Sequence, residues 1–126
     1  LYYQLFIDAA SSGMFDILSH PARNSILNSY LPDDIDDLLG DVASVAAAKD
    51  VALELNGEDV SRWPTLVEMV ANACGRAGCF MSLGSDAHEP GNVGRGLALA
   101  TEIAVRAGVP GIVTFEGRER RILSLR

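Results

Sequence analysis

Residues 51–88 read VALELNGEDVSRWPTLVEMVANACGRAGCFMSLGSDAH, and this stretch decides the fold. VALEL (51–55) is a short, nearly continuous apolar run. Such a run suits a strand covered on both faces. PTLVEMVANACGRAG (64–78) has apolar residues at helical spacing. Pro64 opens it at a first-turn position and Gly78 closes it. CFMSLG (79–84) is a second apolar run that ends on glycine. Strand, helix and strand in that order make a right-handed crossover and a parallel pair.

The same unit recurs on both sides, without any repeat in sequence. LYYQLFIDAASSG (1–13) reads as a helix ended by Gly13, and MFDILS (14–19) as the first strand. HPARNSILNSYLP (20–32) reads as a loop with a helical turn. DDIDDLLGDVASVAAAKD (33–50) is a helix whose Asp33, Asp34, Asp36 and Asp37 read as capping and as complements to the helix dipole. Those acids lack the spacing of a calcium loop. NGEDVSRW (56–63) and SDAHEPGNVG (85–94) are expected to be loops. RGLALATEIAVRAG (95–108) is a helix closed by Gly108, and PGIVTF (110–115) is a fourth strand. EGRERRILSLR (116–126) reads as a tail with one helical turn and an extended end. The expected class is α/β, with parallel strands alternating with helices.

With 126 residues, the chain suits one domain that buries its own core. A formal net charge of −7 disfavours broad binding to nucleic acid or to an anionic membrane. No apolar run approaches the roughly 18 residues of a membrane span. The two cysteines, Cys74 and Cys79, are spaced too widely for a usual zinc pair and read as core thiols. That usage fits a reducing, cytoplasmic compartment.

In parallel α/β folds, ligands bind at the carboxyl ends of the strands. His20 follows the first strand, Asn56 the second, and Asp86 and His88 the third. The chain has only two histidines, and both fall on this edge. In an extended stretch, residues i and i+2 point the same way, so Asp86 and His88 can meet one ion or two adjacent ions. Oxygen and nitrogen donors of this kind suit Zn²⁺, Mn²⁺ or Fe²⁺. Read alone, His20 is an ordinary hydrogen-bonded loop histidine and Asp86 an ordinary capping residue. Their shared placement favours a site. Arg23, Arg62 and Arg95 are expected in loops on the same edge, where arginine can pair with phosphate. GNVGRG (91–96) lacks the dinucleotide spacing and reads as a turn into a helix.

FDILSHP (15–21), LELN (53–56) and WPTLVEMVANACGRAGCFMSLGSDAHEPGNVG (63–94) together resemble the C-terminal half of the PHP (polymerase and histidinol phosphatase) family. GVPGIVTFEGRERRILSL (108–125) is similar to the end of its histidinol-phosphatase-type members. The resemblance implies the C-terminal part of a distorted (β/α)₇ TIM-like barrel. It implies two or three divalent metal ions (zinc, manganese or iron) and hydrolysis of a small phosphomonoester by a metal-activated hydroxide. It makes His20, Asp86 and His88 metal ligands, with Asp86 and His88 the catalytic pair. Asn56 would lie near the substrate, with Arg23 and Arg62 as looser candidates for its phosphate.

The family's N-terminal His-x-His motif has no counterpart here, and the chain starts at Leu1 with its first methionine at Met14. The chain is therefore read as part of a larger domain whose N-terminal part lies elsewhere. Such a piece is expected to associate with a second copy or with the missing half. A non-catalytic scaffold built on the same module is the alternative reading.

Overall fold

The computed structural model describes residues 1–23 and 31–125. Its elements are helix α1 (Tyr2–Ser11), strand β1 (Ile17–Leu18), helix α2 (Ile35–Ala48), strand β2 (Ala52–Asn56), helix α3 (Gly57–Arg62), helix α4 (Pro64–Ala77), strand β3 (Met81–Gly84), helix α5 (Leu97–Arg106), strand β4 (Gly111–Glu116) and strand β5 (Glu119–Ser124). A 3₁₀ turn, Pro90–Asn92, lies in the loop after β3. Part of the loop expected at 20–32 falls on residues 24–30, outside the described residues.

The five strands form one curled sheet in the order β1-β2-β3-β4-β5. The first four run parallel, with Leu53 opposite Leu18 and Met81, and Met81 opposite Ile112. Strand order follows chain order, with no reversal. The helices follow the same order: α1 packs on α2, α2 on α4, and α4 on α5. That arrangement is a sheet wrapped on one side by its own crossovers, a partial α/β barrel in form.

Alternation along the strands sorts the two faces. Leu53, Leu55 and Met81 point toward the helices and are completely or almost completely buried. They meet Leu39, Val42 and Ala46 of α2, Val67, Val70 and Cys74 of α4, and Ile103 and Ala104 of α5 in one core. Cys74 and Cys79 are free, buried members of that core. The hydrogen bond between their thiols, followed by burial, pushes the Cys74 thiol well up. Glu54, Asn56 and Ser82 occupy the other face, and β2–β3 register sets Glu54 beside Ser82 and Asn56 beside Gly84.

Two segments differ from the sequence reading. NGEDVSRW is not a loop: Gly57–Arg62 is a helix that starts directly from the end of β2. The Asn56 side chain caps it by accepting from the Asp59 N–H, and Glu58 and Asp59 lie in its first turn. The tail is not a helical turn: residues 119–124 return as β5, antiparallel to β4. Gly117 and Arg118 make the two-residue turn, with φ of 57° and 69°. β5 adds a fifth strand to the expected four. β1 is shorter than expected, and the Asp34 N-cap of α2 makes no side-chain capping bond. Gly78, with φ 71°, closes α4 in the left-handed conformation that its sequence position suggests. Among the described residues, no helix is long and apolar enough to cross a membrane.

Candidate functional site

The ends of β1, β2 and β3 and the segments that follow them bring five polar side chains, Arg23, Glu54, Asn56, Asp59 and Asp86, into one network. Asn56 is its centre and is 2% exposed. Its Oδ1 accepts from the Asp59 N–H at 3.1 Å and from Arg23 Nη2 at 3.2 Å. Its Nδ2 donates to Glu54 Oε2 at 3.3 Å and to Asp86 Oδ2 at 3.4 Å. One buried amide thereby caps a helix and holds two carboxylates at a fixed separation. β2 makes this possible because Glu54 and Asn56, two residues apart, share a face.

Arg23 joins the network from the β1 side. Its Nη2 donates to Asp86 Oδ2 at 2.9 Å, and its Nε lies 2.7 Å from Asp59 Oδ1. The second contact is an ion pair without hydrogen-bond alignment. The two partners differ in environment. The Asp59 side chain is 4% exposed and that of Asp86 is 28% exposed. Burial raises the Asp59 carboxyl above its ordinary value, although the Arg23 charge opposes this. The Arg23 hydrogen bond holds Asp86 below the ordinary carboxylate range, with help from Asn56 and against a burial penalty.

Those shifts have opposite signs in stability. Asp86 favours the fold when charged, so its contribution is present above the ordinary carboxylate value and is lost as pH falls through the lowered one. Asp59 favours the fold when protonated, so its contribution is lost as pH rises through its raised value. Asp86→Asn is therefore expected to be less stable than the parent near pH 6, by no more than about 1 kcal/mol because the pair is partly screened. The gap should close as pH falls through the lowered Asp86 value, where both proteins become neutral at this position. Urea midpoints measured across that range check the sign.

His20 approaches with its backbone in the left-handed region, at φ 33°. Its N–H donates to Glu54 Oε2 at 2.9 Å. Its ring Nδ1 is buried and has no hydrogen-bond partner among the described residues. Gly84 makes room on the other side of Glu54, since a Cβ there would lie 2.3 Å from Glu54 Oε1.

The expected side-by-side presentation of Asp86 and His88 does not occur. Asp86 has φ 54°, which breaks the extended alternation. His88 is exposed, and its Nδ1 lies 2.9 Å from the Asp86 carbonyl oxygen. Arg62 is not drawn into the network either. It sits at the end of α3, pairs with Glu58 at 2.9 Å and lies over the Trp63 ring. Arg95 also pairs with Glu58, which ties α3 to the end of the loop carrying Asp86.

His20, Arg23, Asn56 and Asp86 are thus brought to one edge, while His88 lies at its rim and Arg62 apart. Glu54 and Asp59 complete the network without having been singled out in the sequence. A glutamate inside an apolar strand is a readable signal, because charged residues are seldom buried without a partner. Asp59 has the spacing of a first-turn acid behind an Asn cap.

The His20 ring nitrogen and the Glu54 and Asp86 carboxylates are donors of the kind that take a divalent cation. Among the described residues, no three His, Cys, Asp or Glu side chains gather closely enough to hold one unaided. The set fits in kind and is short in number. Compared with known proteins, the chain matches no family model and no curated sequence.

Proposed function

We propose that this chain is the C-terminal part of a metal-dependent phosphoesterase of the PHP type, a distorted (β/α)₇ TIM-like barrel that hydrolyses a small phosphomonoester in the manner of histidinol phosphatase. The observation that carries the reading is the polar network at three successive strand ends, where the Asn56 amide holds the Glu54 and Asp86 carboxylates and the His20 backbone N–H donates to Glu54. Strand ends are where parallel α/β folds do chemistry. A bound divalent ion would neutralise charge on phosphoryl oxygens and lower the pKa of water.

This chain's own residues would do the rest. His20, Asp86 and His88 would hold metal, two or three zinc, manganese or iron ions in the whole domain, with further donors from its N-terminal part or a second copy. Glu54 is added to that set. The Arg23 hydrogen bond holds the Asp86 carboxyl below the ordinary range, and Arg23 and Asn56 both engage its Oδ2. Asn56 orients both carboxylates. Arg23 offers a guanidinium for the phosphate, and Arg62, on the exposed end of α3, a more distant one. The net charge of −7 supports a small substrate over nucleic acid or a membrane surface.

The test is hydrolysis of p-nitrophenyl phosphate by the chain supplied with Mn²⁺. Turnover that disappears with a chelator and in Asp86→Asn supports the reading. Turnover that persists in both contradicts it. His88→Ala is expected to change stability by less than about 0.5 kcal/mol, because an exposed loop side chain adds little packing. The same variant is expected to lower metal occupancy and turnover. Equal occupancy and turnover would remove His88 from the site.

A second reading has its own support. Arg23 already closes an ion-pair network with Asp59 and Asp86. A non-catalytic module that serves as a scaffold would keep such a network and show no Mn²⁺-dependent turnover.

A further inference from the structure

The two cysteines meet where α4 ends. Gly78, in the left-handed conformation, turns the chain so that the Cys79 N–H donates to the Cys74 carbonyl oxygen at 2.9 Å. A closure of this kind brings the side chains on either side of the glycine into contact. At this helix end the contact is thiol on thiol. The two sulfurs share a hydrogen bond, and both cysteines are free and fully buried. A disulfide needs neighbouring backbone and facing sulfurs, and the helix end supplies both.

The two sulfurs are not equivalent. Cys79 Sγ lies 3.3 Å from the Phe80 carbonyl oxygen and 3.6 Å from that of Val51. Arg120 reaches over from β5, with its guanidinium carbon 5.0 Å from the centre of the ring of Phe80, the next residue after Cys79. Its Nη1 donates to the Asp50 carbonyl oxygen at 3.3 Å, while its Nε and Nη2 are buried without a hydrogen-bond partner among the described residues. The Cys74 hydrogen bond draws the Cys79 thiol down, and the Arg120 charge adds to this against the cost of burial. The same hydrogen bond pushes Cys74 up.

We propose that Cys74 and Cys79 are a reversible dithiol–disulfide pair, a modification site for hydroperoxides in which Cys79 is the attacking sulfur and Cys74 the resolving one. The Cys79 sulfur attacks one peroxide oxygen. An S–O bond forms, the O–O bond breaks, and the leaving hydroxide takes the thiol proton and departs as water. The Cys74 sulfur then attacks Cys79. The S–S bond forms, the S–O bond breaks, and a second water carries off the Cys74 proton. The sulfurs are oxidised to the disulfide and the peroxide is reduced to water. Neither sulfur lies at the surface, so the reaction goes through local opening. β5 is the edge strand that carries Arg120, its residues 121–124 are exposed, and such an edge opens at lower cost than the whole fold. The pair precedes β3, at the end of that strand away from the polar network, so the inference stands apart from the proposed function.

The experiment treats the reduced full chain with hydrogen peroxide, with folding followed by circular dichroism, then alkylates it in denaturant and digests it with trypsin. Cleavage after Arg76 puts the cysteines on separate peptides, 63–76 and 77–95. The expected result is loss of both free thiols together, a linked pair of those peptides, and recovery of both thiols with dithiothreitol. In Cys74→Ala, Cys79 is expected to stop as a sulfenic acid that dimedone traps. In Cys79→Ala, Cys74 is expected to stay a thiol. Free thiols that survive peroxide in the folded parent, or disulfides only between two copies, would overturn the pair. Dimedone trapping on Cys74 in Cys79→Ala, with none on Cys79 in Cys74→Ala, would overturn the assigned roles. The parent alone decides whether the pair forms, so that result stands even where a variant fails to fold.

Discussion

Asn56→Ala is expected to lower the unfolding free energy by about 3 kcal/mol, from a lost helix cap and from buried polar groups left without partners. The melting temperature should fall by roughly 10 °C. Few side chains of this size serve four partners, and here they come from the β1 end, from β2 and α3, and from the loop after β3. Asn56→Asp separates the two halves of the effect. It keeps an acceptor for the Asp59 N–H but replaces the donor to Glu54 and Asp86 with a third carboxylate. Its instability should therefore shrink as pH falls and the three acids are neutralised, because like charges drive it. Thermal unfolding of both variants at neutral and acid pH checks this. An Asn56→Ala protein as stable as the parent would mean that the network is not holding the strand ends together.

Gly57→Ala is expected to be at least as damaging, at about 3 kcal/mol, because the added methyl meets backbone and not a movable side chain. A Cβ at position 57 would lie 2.0 Å from the Arg95 carbonyl oxygen and 3.1 Å from Ser85 Cα. Both belong to the segment that carries Asp86, so relief requires that segment to move away from α3. The variant should lose both stability and the Asp86 contacts with Arg23 and Asn56. Gly40→Ala is the control, since a Cβ there meets nothing within 4 Å and α2 should gain slightly from better helix propensity. Denaturant unfolding of the pair checks the contrast, and equal midpoints would contradict the close approach.

Much of this fold can be read from residues 51–88. Pro64 and Gly78 mark the two ends of α4, and the apolar runs on either side give β2 and β3. Sequential alternation of strands and helices then fixes parallel pairing and the edge on which His20, Asn56 and Asp86 meet. Short elements escape this kind of reading. α3 spans six residues and has too few turns to show a period, so its only signal is the Asn56 cap with acids behind it. β5 is hidden because its turn places Arg118, not only a glycine, in the left-handed region, and because Arg120 and Arg121 look like tail charges. Arg120 in fact crosses to lie over the Phe80 ring and pair with Asp50.

The site is legible in part for a similar reason. Which strand end a residue follows is a property of chain order, and order is visible in sequence. Which way its side chain points is set by one backbone angle. At Asp86 that angle is in the left-handed region, so Asp86 turns to Arg23 while His88 folds back on the loop. Asp59 passes unnoticed because an acid in a first helical turn reads as ordinary until its partners are known, whereas Glu54 inside an apolar run carries a signal that names no partner.

The most direct test of the central claim is a metal count. The purified chain, loaded with zinc, manganese or iron and dialysed, would be analysed by inductively coupled plasma mass spectrometry alongside Asp86→Asn. With a second copy completing the donor set, the account predicts at least one retained divalent ion per polypeptide in the parent and a clear loss in the variant. No retained metal in the parent, or equal metal in both, would contradict a metal site built on the strand ends around Asn56.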